Sequence, residues 1–500
     1  MGGPNPYRPE DCRFVYDRAA LFRRLRAILP HPERVITEPE ALCVYETDGL
    51  AAYRQPPVAV VIPDTIDEVQ RIVRLAAEMG VPVTPRGSGT CLAAGALPHP
   101  QGIVLSLARF NRIVGIDAPR RLARVEPGVR NLAVTEAARP HGLYFAPDPS
   151  SQIACSIGGN VAENAGGVHC LKYGLTVHNV AAVTLITAEG ERVTLGSEAL
   201  DAPGYDLLAL ITGSEGLLGV VVEITVRLLP EPRHKEVLLA AFATVEDGGN
   251  AVAAIIGDGI TPAGLEMMDH LAIRAAEDFI GAGYPVDAAA MLICELDGSP
   301  EEVTDDVVRV QRTVERHGAT ETRTAKDADE QARFWAGRKA AFPAVGRISP
   351  DYYCMDGTIP RGRIAEVLAG IERLSREYGL RVANVFHAGD GNLHPLILYD
   401  GNVEGELERT EAMGLEILRL CVDAGGTITG EHGVGLEKID AMCHQFSADE
   451  LAQFRAVKDA FDPTWFLNPG KTIPTPSRCA EYRALDPGAP RAGTPSGGPK

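Results

Sequence analysis

From Ala146 to Gly174 the chain reads APDPSSQIACSIGGNVAENAGGVHCLKYG. Gly158, Gly159, Asn160, Asn164, Gly166 and Gly167 fall among small residues, which strips side-chain bulk from an extended path. Backbone can approach a long flat ligand closely along such a path. Ile153, Ile157 and Val161 recur at four-residue spacing, which predicts an ordered, partly helical piece rather than a loose loop. Arg86-Gly-Ser-Gly-Thr90 is a second glycine-rich segment, placed after a strand, where N–H groups can converge on an anion. It is no Walker loop, because no G-K-[ST] follows, and the third glycine of a dinucleotide fingerprint is missing. Alone it reads as a structural turn. With Thr212-Gly-Ser-Glu-Gly-Leu-Leu-Gly219 there are three such segments before residue 230, which favours a dinucleotide-sized ligand over three unrelated turns.

Five hundred residues imply two or three domains. The chain is 45% hydrophobic and 23% charged, enough for sizeable cores. A net charge of -19 argues against nucleic acid and against docking on anionic lipid. Ten cysteines show no C-x-x-C spacing, which excludes an iron–sulfur ligand set and a disulfide scaffold; reduced cytosolic thiols are the simplest reading. No apolar run approaches membrane-spanning length. In LLGVVVEITVRLL (217–229), Glu223, Thr225 and Arg227 alternate with apolar residues, which marks a strand.

Residues 1–10 and the segment from about Pro474 are Pro/Gly-rich and expected to be poorly ordered. YDRAALFRRLRAIL reads as an amphipathic helix. VAVVI (58–62) is a buried strand, and Thr65-Ile-Asp-Glu68 is a capping box opening a helix that Gly80 ends. Strands follow at 81–84, 103–107 and 122–128, then a helix near 131–141. A strand pair at 180–195 turns at Glu189-Gly190, and the strand at 219–229 closes the region before a linker at 230–232. From about Arg233, strands alternate with longer helices at 246–256, 300–318, 327–342, 361–379 and 403–424. These predict a helix-backed sheet. FDPTWFLNPGK (461–471) is a plausible return of the chain onto the first domain.

The second region carries FHAGDGNLHP (386–395). If GDGN is a four-residue hairpin loop, His387 lies opposite His394 on one sheet face, with Cβ atoms about 4.5–5.5 Å apart. Two imidazoles so placed can share an ion. Gly430-Glu431-His432-Gly-Val-Gly435 offers a carboxylate and another imidazole. Two His and one Glu make a three-ligand catalytic metal set, with the remaining His free as a base. The spacing does not say which histidine is which.

Four segments, PVTPRGSGTCLAAGA, SIGGNVAENAGG, RKAAFPAVGRISPDYYCMDGTIP, and FHAGDGNLHP with GEHGVG, resemble the vanillyl-alcohol-oxidase/PCMH flavoprotein superfamily. Within it the chain is most similar to the FAD-linked D-2-hydroxyacid dehydrogenases of the bacterial glycolate oxidase catalytic-subunit type. The likeness runs from about Leu25 to Ile473. It implies an α+β chain: an N-terminal helical segment (1–54), a PCMH-type FAD-binding domain (55–233), and an α/β cap or substrate and metal domain with a helix-backed antiparallel sheet (234–460). A return onto the FAD domain (461–475) and a flexible tail (476–500) complete it.

The cofactor-binding set that the resemblance implies is Pro85, Arg86, Gly87, Ser88, Gly89, Thr90, Pro149, Ser150, Ser156, Gly158, Gly159, Asn160, Ala162, Asn164, Gly166, Val220 and Asn468. His387, His394 and Glu431 match ligands of a divalent metal (Zn, Mn or Fe), His432 the base, and Arg338 the partner of the substrate carboxylate. Relatives acting on dicarboxylates carry a Lys near the position of Cys354 and an Asn at that of Leu396; their loss here implies a small monocarboxylate. Covalent-flavin members carry His where Thr90 and Cys91 stand, which implies non-covalent FAD. The implied reaction is oxidation of glycolate, or D-lactate, to glyoxylate or pyruvate, with hydride passing to flavin N5. Electrons then go to a second flavoprotein subunit and an iron–sulfur subunit. The chain itself would be cytoplasmic, meeting the inner face of the membrane only through those partners. The alternatives are a stand-alone D-lactate dehydrogenase, a non-catalytic flavin-binding subunit and a zinc hydrolase.

Overall fold

The computed structural model describes residues 7–8, 11–199 and 204–479. The rest of the expected tail, from residue 480, lies outside them. Asp17 caps the first helix, Arg18–Ile28, by accepting from Ala19 and Ala20 N–H, and buries Leu21 and Leu25. The capping box at Thr65 and Glu68 is formed, and Gly80 ends that helix in the left-handed conformation, φ +64°. This amphipathic helix covers a small sheet in which Ala59–Val61, Ile103–Ser106 and Val83–Arg86 run parallel, with Val35–Ile36 antiparallel at one edge. Beside it, an antiparallel sheet has the order Ile113–Asp117, Leu122–Val125, Val220–Arg227, Val180–Ile186 and Arg192–Gly196. The chain returns late: Val83 N–H donates to Phe466 O and Asn468 N–H to Val83 O, both at 2.8 Å, and Phe466 and Leu467 are buried against the first helices.

The second region is built on a seven-stranded antiparallel sheet. Its order is Ala319–Thr324, His234–Phe242, Ala290–Gly298, Gly264–Asp269, Arg381–His387, Pro395–Tyr399 and Asp351–Cys354. Both faces are covered, so its central strands Ala290–Gly298 and Gly264–Asp269 are buried almost without a break rather than alternating. Leu238, Ala240 and Phe242 pack with Val245–Gly257, Pro300–Arg316, Ile364–Tyr378 and Glu406–Asp423. Val237, Leu239 and Ala241 pack on the other face against His270–Ile280 and Ala328–Val345. The helix at 270–280, which the sequence reading passed over, starts on Asp269, whose side chain accepts from Ala272 N–H.

Three expectations are corrected here. Ile153 is 66% exposed, outside the helix Ile157–Glu163 that holds Ile157 and Val161. Tyr7 is buried, its hydroxyl donating to Leu97 O at 3.2 Å. The thiols are not all reduced: Cys443 and Cys479, 36 residues apart, form a disulfide, brought together where residues 476–479 fold back over Met442–Gln445. Eight other cysteines among the described residues are free. Among the described residues no helix is long and apolar enough to cross a membrane.

Candidate active site

The hairpin that carries the two histidines turns one residue earlier than the sequence suggests. Asn384 pairs with Pro395 and Ala383 with Leu396, so His387 comes opposite Asn392 rather than His394. His387 N–H donates to Asn392 O and Asn392 N–H to His387 O, both at 3.1 Å, and the turn spans 388–391 with Gly391 at φ +82°. The two-residue shift keeps both imidazoles on one face, because strand side chains alternate with period two. They meet diagonally, ring centroids 5.0 Å apart and nearly perpendicular.

Glu266 lies directly across from His387 in the neighbouring strand. Its Oε1 contacts His387 Nδ1 at 2.7 Å, and its Oε2 accepts from Arg338 Nε at 2.7 Å. All three side chains are buried. Burial opposes charge on Glu266, but His387 and Arg338 outweigh it and hold the carboxyl below its ordinary range. This chain fixes the His387 ring and turns Nε2 toward Glu431 Oε1, 3.5 Å away. His394 Nε2 lies 3.1 Å from the same oxygen. One ring nitrogen each of His387 and His394 and a carboxylate oxygen of Glu431 all lie within 4.8 Å of one another. A carboxylate behind a ligating imidazole is the usual outer support of a metal centre.

Glu431 and His432 sit on a loop held by two buried carboxylates. Asp356 accepts from the N–H groups of Gly430, Glu431 and His432 at 3.1, 3.2 and 2.9 Å and from Asn392 Nδ2 at 2.9 Å. Lys438 Nζ, fully buried, lies 3.0 Å from its Oδ2. Burial disfavours the charge, yet Lys438 and the neighbouring imidazoles hold Asp356 well below the usual carboxylate range. Glu215, from the third glycine-rich segment, accepts from Val434 and Gly435 N–H at 2.8 and 2.7 Å. Gly433 runs at φ +77°, and a Cβ there would strike Glu163 Oε2. Burial pushes His432 down to about 4, so its imidazole is neutral near pH 7.

A cavity of about 410 Å³ runs from the first region to this loop. Pro85, Arg86, Gly87, Ser88, Gly89 and Thr90 line it, with Pro149, Ser150, Ser156, Gly158, Gly159, Asn160 and Ala162, and its far wall holds His394, Glu431 and His432. Its glycines keep the elements close: a Cβ on Gly87 would strike Ser156 Oγ, and one on Gly158 would lie 2.5 Å from Pro127 Cβ. Four expected residues are not on this wall. Asn164 ends the short helix at φ +53°. Gly166 borders a second cavity. Val220 is buried in the core beneath, so strand alternation gives the cavity its neighbours Gly219 and Val221. Asn468 stands behind, its Nδ2 donating to Gly95 O at 3.0 Å and Glu215 O at 2.7 Å. Arg338 is also absent from the wall. It is 2% exposed and faces Glu266, while Lys339, Phe342 and Pro343 of the same helix turn to the cavity.

Sequence reasoning missed Glu266, Asp356, Glu215 and Lys438. Glu266 had a visible signal, a lone carboxylate inside GLEMM, but an apolar strand hides which partner neutralises it. It also missed a clasp between the two regions. His169 Nδ1 lies 2.8 Å from Asp148 Oδ2 and its Nε2 3.2 Å from Glu295 Oε1, while Trp335 Nε1 donates to Glu295 Oε2 at 2.7 Å. Burial works against the imidazolium, but Asp148 and Glu295 push His169 up to about 10. A raised folded-state pKa stabilises fully below the unfolded value of about 6.5 and is lost as pH rises through the folded value. His169→Gln should therefore lower the melting temperature clearly at pH 6 and hardly at all above pH 10, a difference that thermal melts across that range read directly.

Residues 57–196 match the family described as FAD binding domain, and residues 231–472 that described as FAD linked oxidases, C-terminal domain. Glycolate oxidase subunit GlcD of Escherichia coli (strain K12) is 60% identical over 469 residues, 94% of each chain. D-lactate dehydrogenase of Anaerostipes hadrus is 32% identical over 450 residues, 88% of this chain and 94% of that one. Among solved structures, p-cresol methylhydroxylase with substrate bound superposes with a TM-score of 0.79 at 18% identity, covering 92% of this chain and 98% of the other. At that identity the likeness is one of fold.

Proposed function

The chain belongs to the FAD-linked oxidases, and from that premise we propose that it oxidises a small 2-hydroxy acid, glycolate foremost and D-lactate next, to the 2-oxo acid. One observation carries the reading: a single cavity joins the glycine-rich loops of the FAD-binding region to His394, Glu431 and His432. The loop 86–90 and the start of helix 157–163 present backbone and small side chains along it, which fits a long flat dinucleotide held without a covalent bond. A divalent ion fits His387, His394 and Glu431, since Glu431 Oε2 is buried with no hydrogen-bond partner in a cluster of convergent donors. When bound, FAD supplies a two-electron acceptor, and the ion supplies positive charge beside the substrate's oxygens.

The residues then divide the work. His432, neutral and on the cavity wall, takes the hydroxyl proton of the 2-hydroxy acid as hydride leaves Cα. Glu266 and Arg338 hold His387 in orientation. Glu266 occupies the Nε–Nη2 edge of the Arg338 guanidinium, each nitrogen 2.7 Å from its Oε2, so Nη1 is the donor left for the substrate carboxylate. Lys339 adds positive charge at the cavity. Cys354 and Leu396, both buried and uncharged, offer nothing to a second carboxylate. Among the described residues no four cysteines cluster as a ligand set, and the proposed exit for the electrons is through partner subunits, a second flavoprotein and an iron–sulfur protein, which would also make any contact with the membrane.

Anaerobic mixing of the FAD-loaded protein with a panel of acids tests this. Glycolate and D-lactate should bleach the flavin absorbance faster than L-lactate, and D-2-hydroxyglutarate should be slowest. Fastest bleaching by the dicarboxylate would overturn the small-substrate assignment, and colourless protein would favour a hydrolase. The 32% identical D-lactate dehydrogenase supports a second reading, an enzyme acting alone on D-lactate. Co-purification of partner subunits with the tagged chain separates the two.

A further inference from the structure

Cys354, used above only for the charge it lacks, ends the strand Asp351–Cys354 beside the two stacked imidazoles of the site. Its Sγ and one ring nitrogen each of His394 and His432 lie within 4.8 Å of one another. The two rings are nearly parallel, 12° apart with centroids separated by 5.0 Å. Each keeps a buried Nδ1 that makes no hydrogen bond. The thiol is 3% exposed and has only a weak contact, Sγ to Met355 O at 3.4 Å. Zn–S and Zn–N distances of about 2.3 and 2.1 Å place two ligands of a tetrahedral ion about 3.6 Å apart, so the trio needs to close by roughly 1 Å.

We propose that Cys354, His394 and His432 form a second cation site, selective for soft, thiophilic divalent ions such as Cd²⁺, whose filling inhibits the enzyme. Softness separates it from the first set: imidazole with carboxylate accepts Mn²⁺, whereas thiolate with two imidazoles prefers softer ions. Binding exchanges the Cys354 S–H bond for an S–metal bond and releases one proton to solvent. An ion held there withdraws His432 from proton transfer and takes His394 from the set it shares with His387 and Glu431. The inhibitory half of the proposal rests on the functional reading given above; the binding half does not.

The test uses the FAD-loaded full chain stripped of metal, titrated with Cd²⁺ while the ultraviolet thiolate-to-cadmium absorption is followed. The expected result is one Cd²⁺ per chain with that band and with proton release. Cys354→Ser and Cys354→Ala should lose the band and bind Cd²⁺ about 10²-fold more weakly, with melting temperature and flavin spectrum showing that both variants fold. Added Cd²⁺ should also displace bound Mn²⁺, read by electron paramagnetic resonance, in the parent and not in Cys354→Ser. An unchanged band or unchanged Cd²⁺ affinity in both variants overturns the site. Thiolate-bound Cd²⁺ that leaves Mn²⁺ in place overturns the competition. Mn²⁺ binding indifferent to His387→Gln would instead count against the functional reading, leaving the cadmium result to stand by itself.

Discussion

His432→Ala reduces the rate at which glycolate bleaches the flavin by about 10²–10⁴-fold, the range expected when a positioned proton acceptor is removed. The reasons are local. Burial keeps this imidazole neutral, with its value pushed down to about 4, so it is ready to accept a proton across the physiological range. Asp356 fixes its backbone through a hydrogen bond of 2.9 Å, and its ring stacks on His394 at the end of the cavity. The substitution leaves Glu431, His387 and His394 intact, so retention of FAD and of the divalent ion should be near normal. Stopped-flow bleaching under anaerobic conditions isolates the step. A rate within about threefold of the parent would remove His432 from the role of base.

Asp356→Ala has the other large effect, on stability and on the ion together. Asp356 is fully buried, receives the N–H groups of three successive loop residues and neutralises Lys438, which is also fully buried. Removing one partner of a buried pair leaves the other charge uncompensated and costs about 3–5 kcal/mol. Denaturant unfolding should show a loss of that size, and the purified variant should hold less than a tenth of the parent's metal, because Glu431 is no longer placed. Lys438→Met added to Asp356→Ala should recover much of the stability without recovering the ion, since the two effects have different origins. A single variant as stable and as metal-rich as the parent would show that the loop holds itself.

Several of these features could be read from the chain alone, and the exceptions share a cause. The capping box at Thr65 and Glu68 formed as expected, because it depends on four consecutive residues. The two histidines came to one face, because a shift of two residues preserves strand parity, but their register failed because the turn starts one residue before GDGN, with Gly391 left-handed. Val220 and Val221 could not be told apart without knowing which face of the strand meets the cavity. Arg338 was singled out by the resemblance alone, and its pairing with Glu266, 72 residues away in sequence, depends on helix Ala328–Val345 lying across one sheet face. The same holds for Asp356 with Lys438, Glu215 with the loop at 434–435, and Cys443 with Cys479. Local chemistry is written in neighbouring residues; the partners of buried charges are set by tertiary packing.

The central claim is that a 2-hydroxy acid gives up its electrons to FAD beside the ion held by His387, His394 and Glu431. Anaerobic bleaching of the flavin by glycolate, run on chelator-stripped protein and again after Mn²⁺ is restored, measures it most directly. The expected result is slow or absent bleaching without the ion and recovery with it, the recovery being lost in Glu431→Gln. Bleaching at full rate in the stripped protein, or none by any 2-hydroxy acid in the replete one, would contradict the claim.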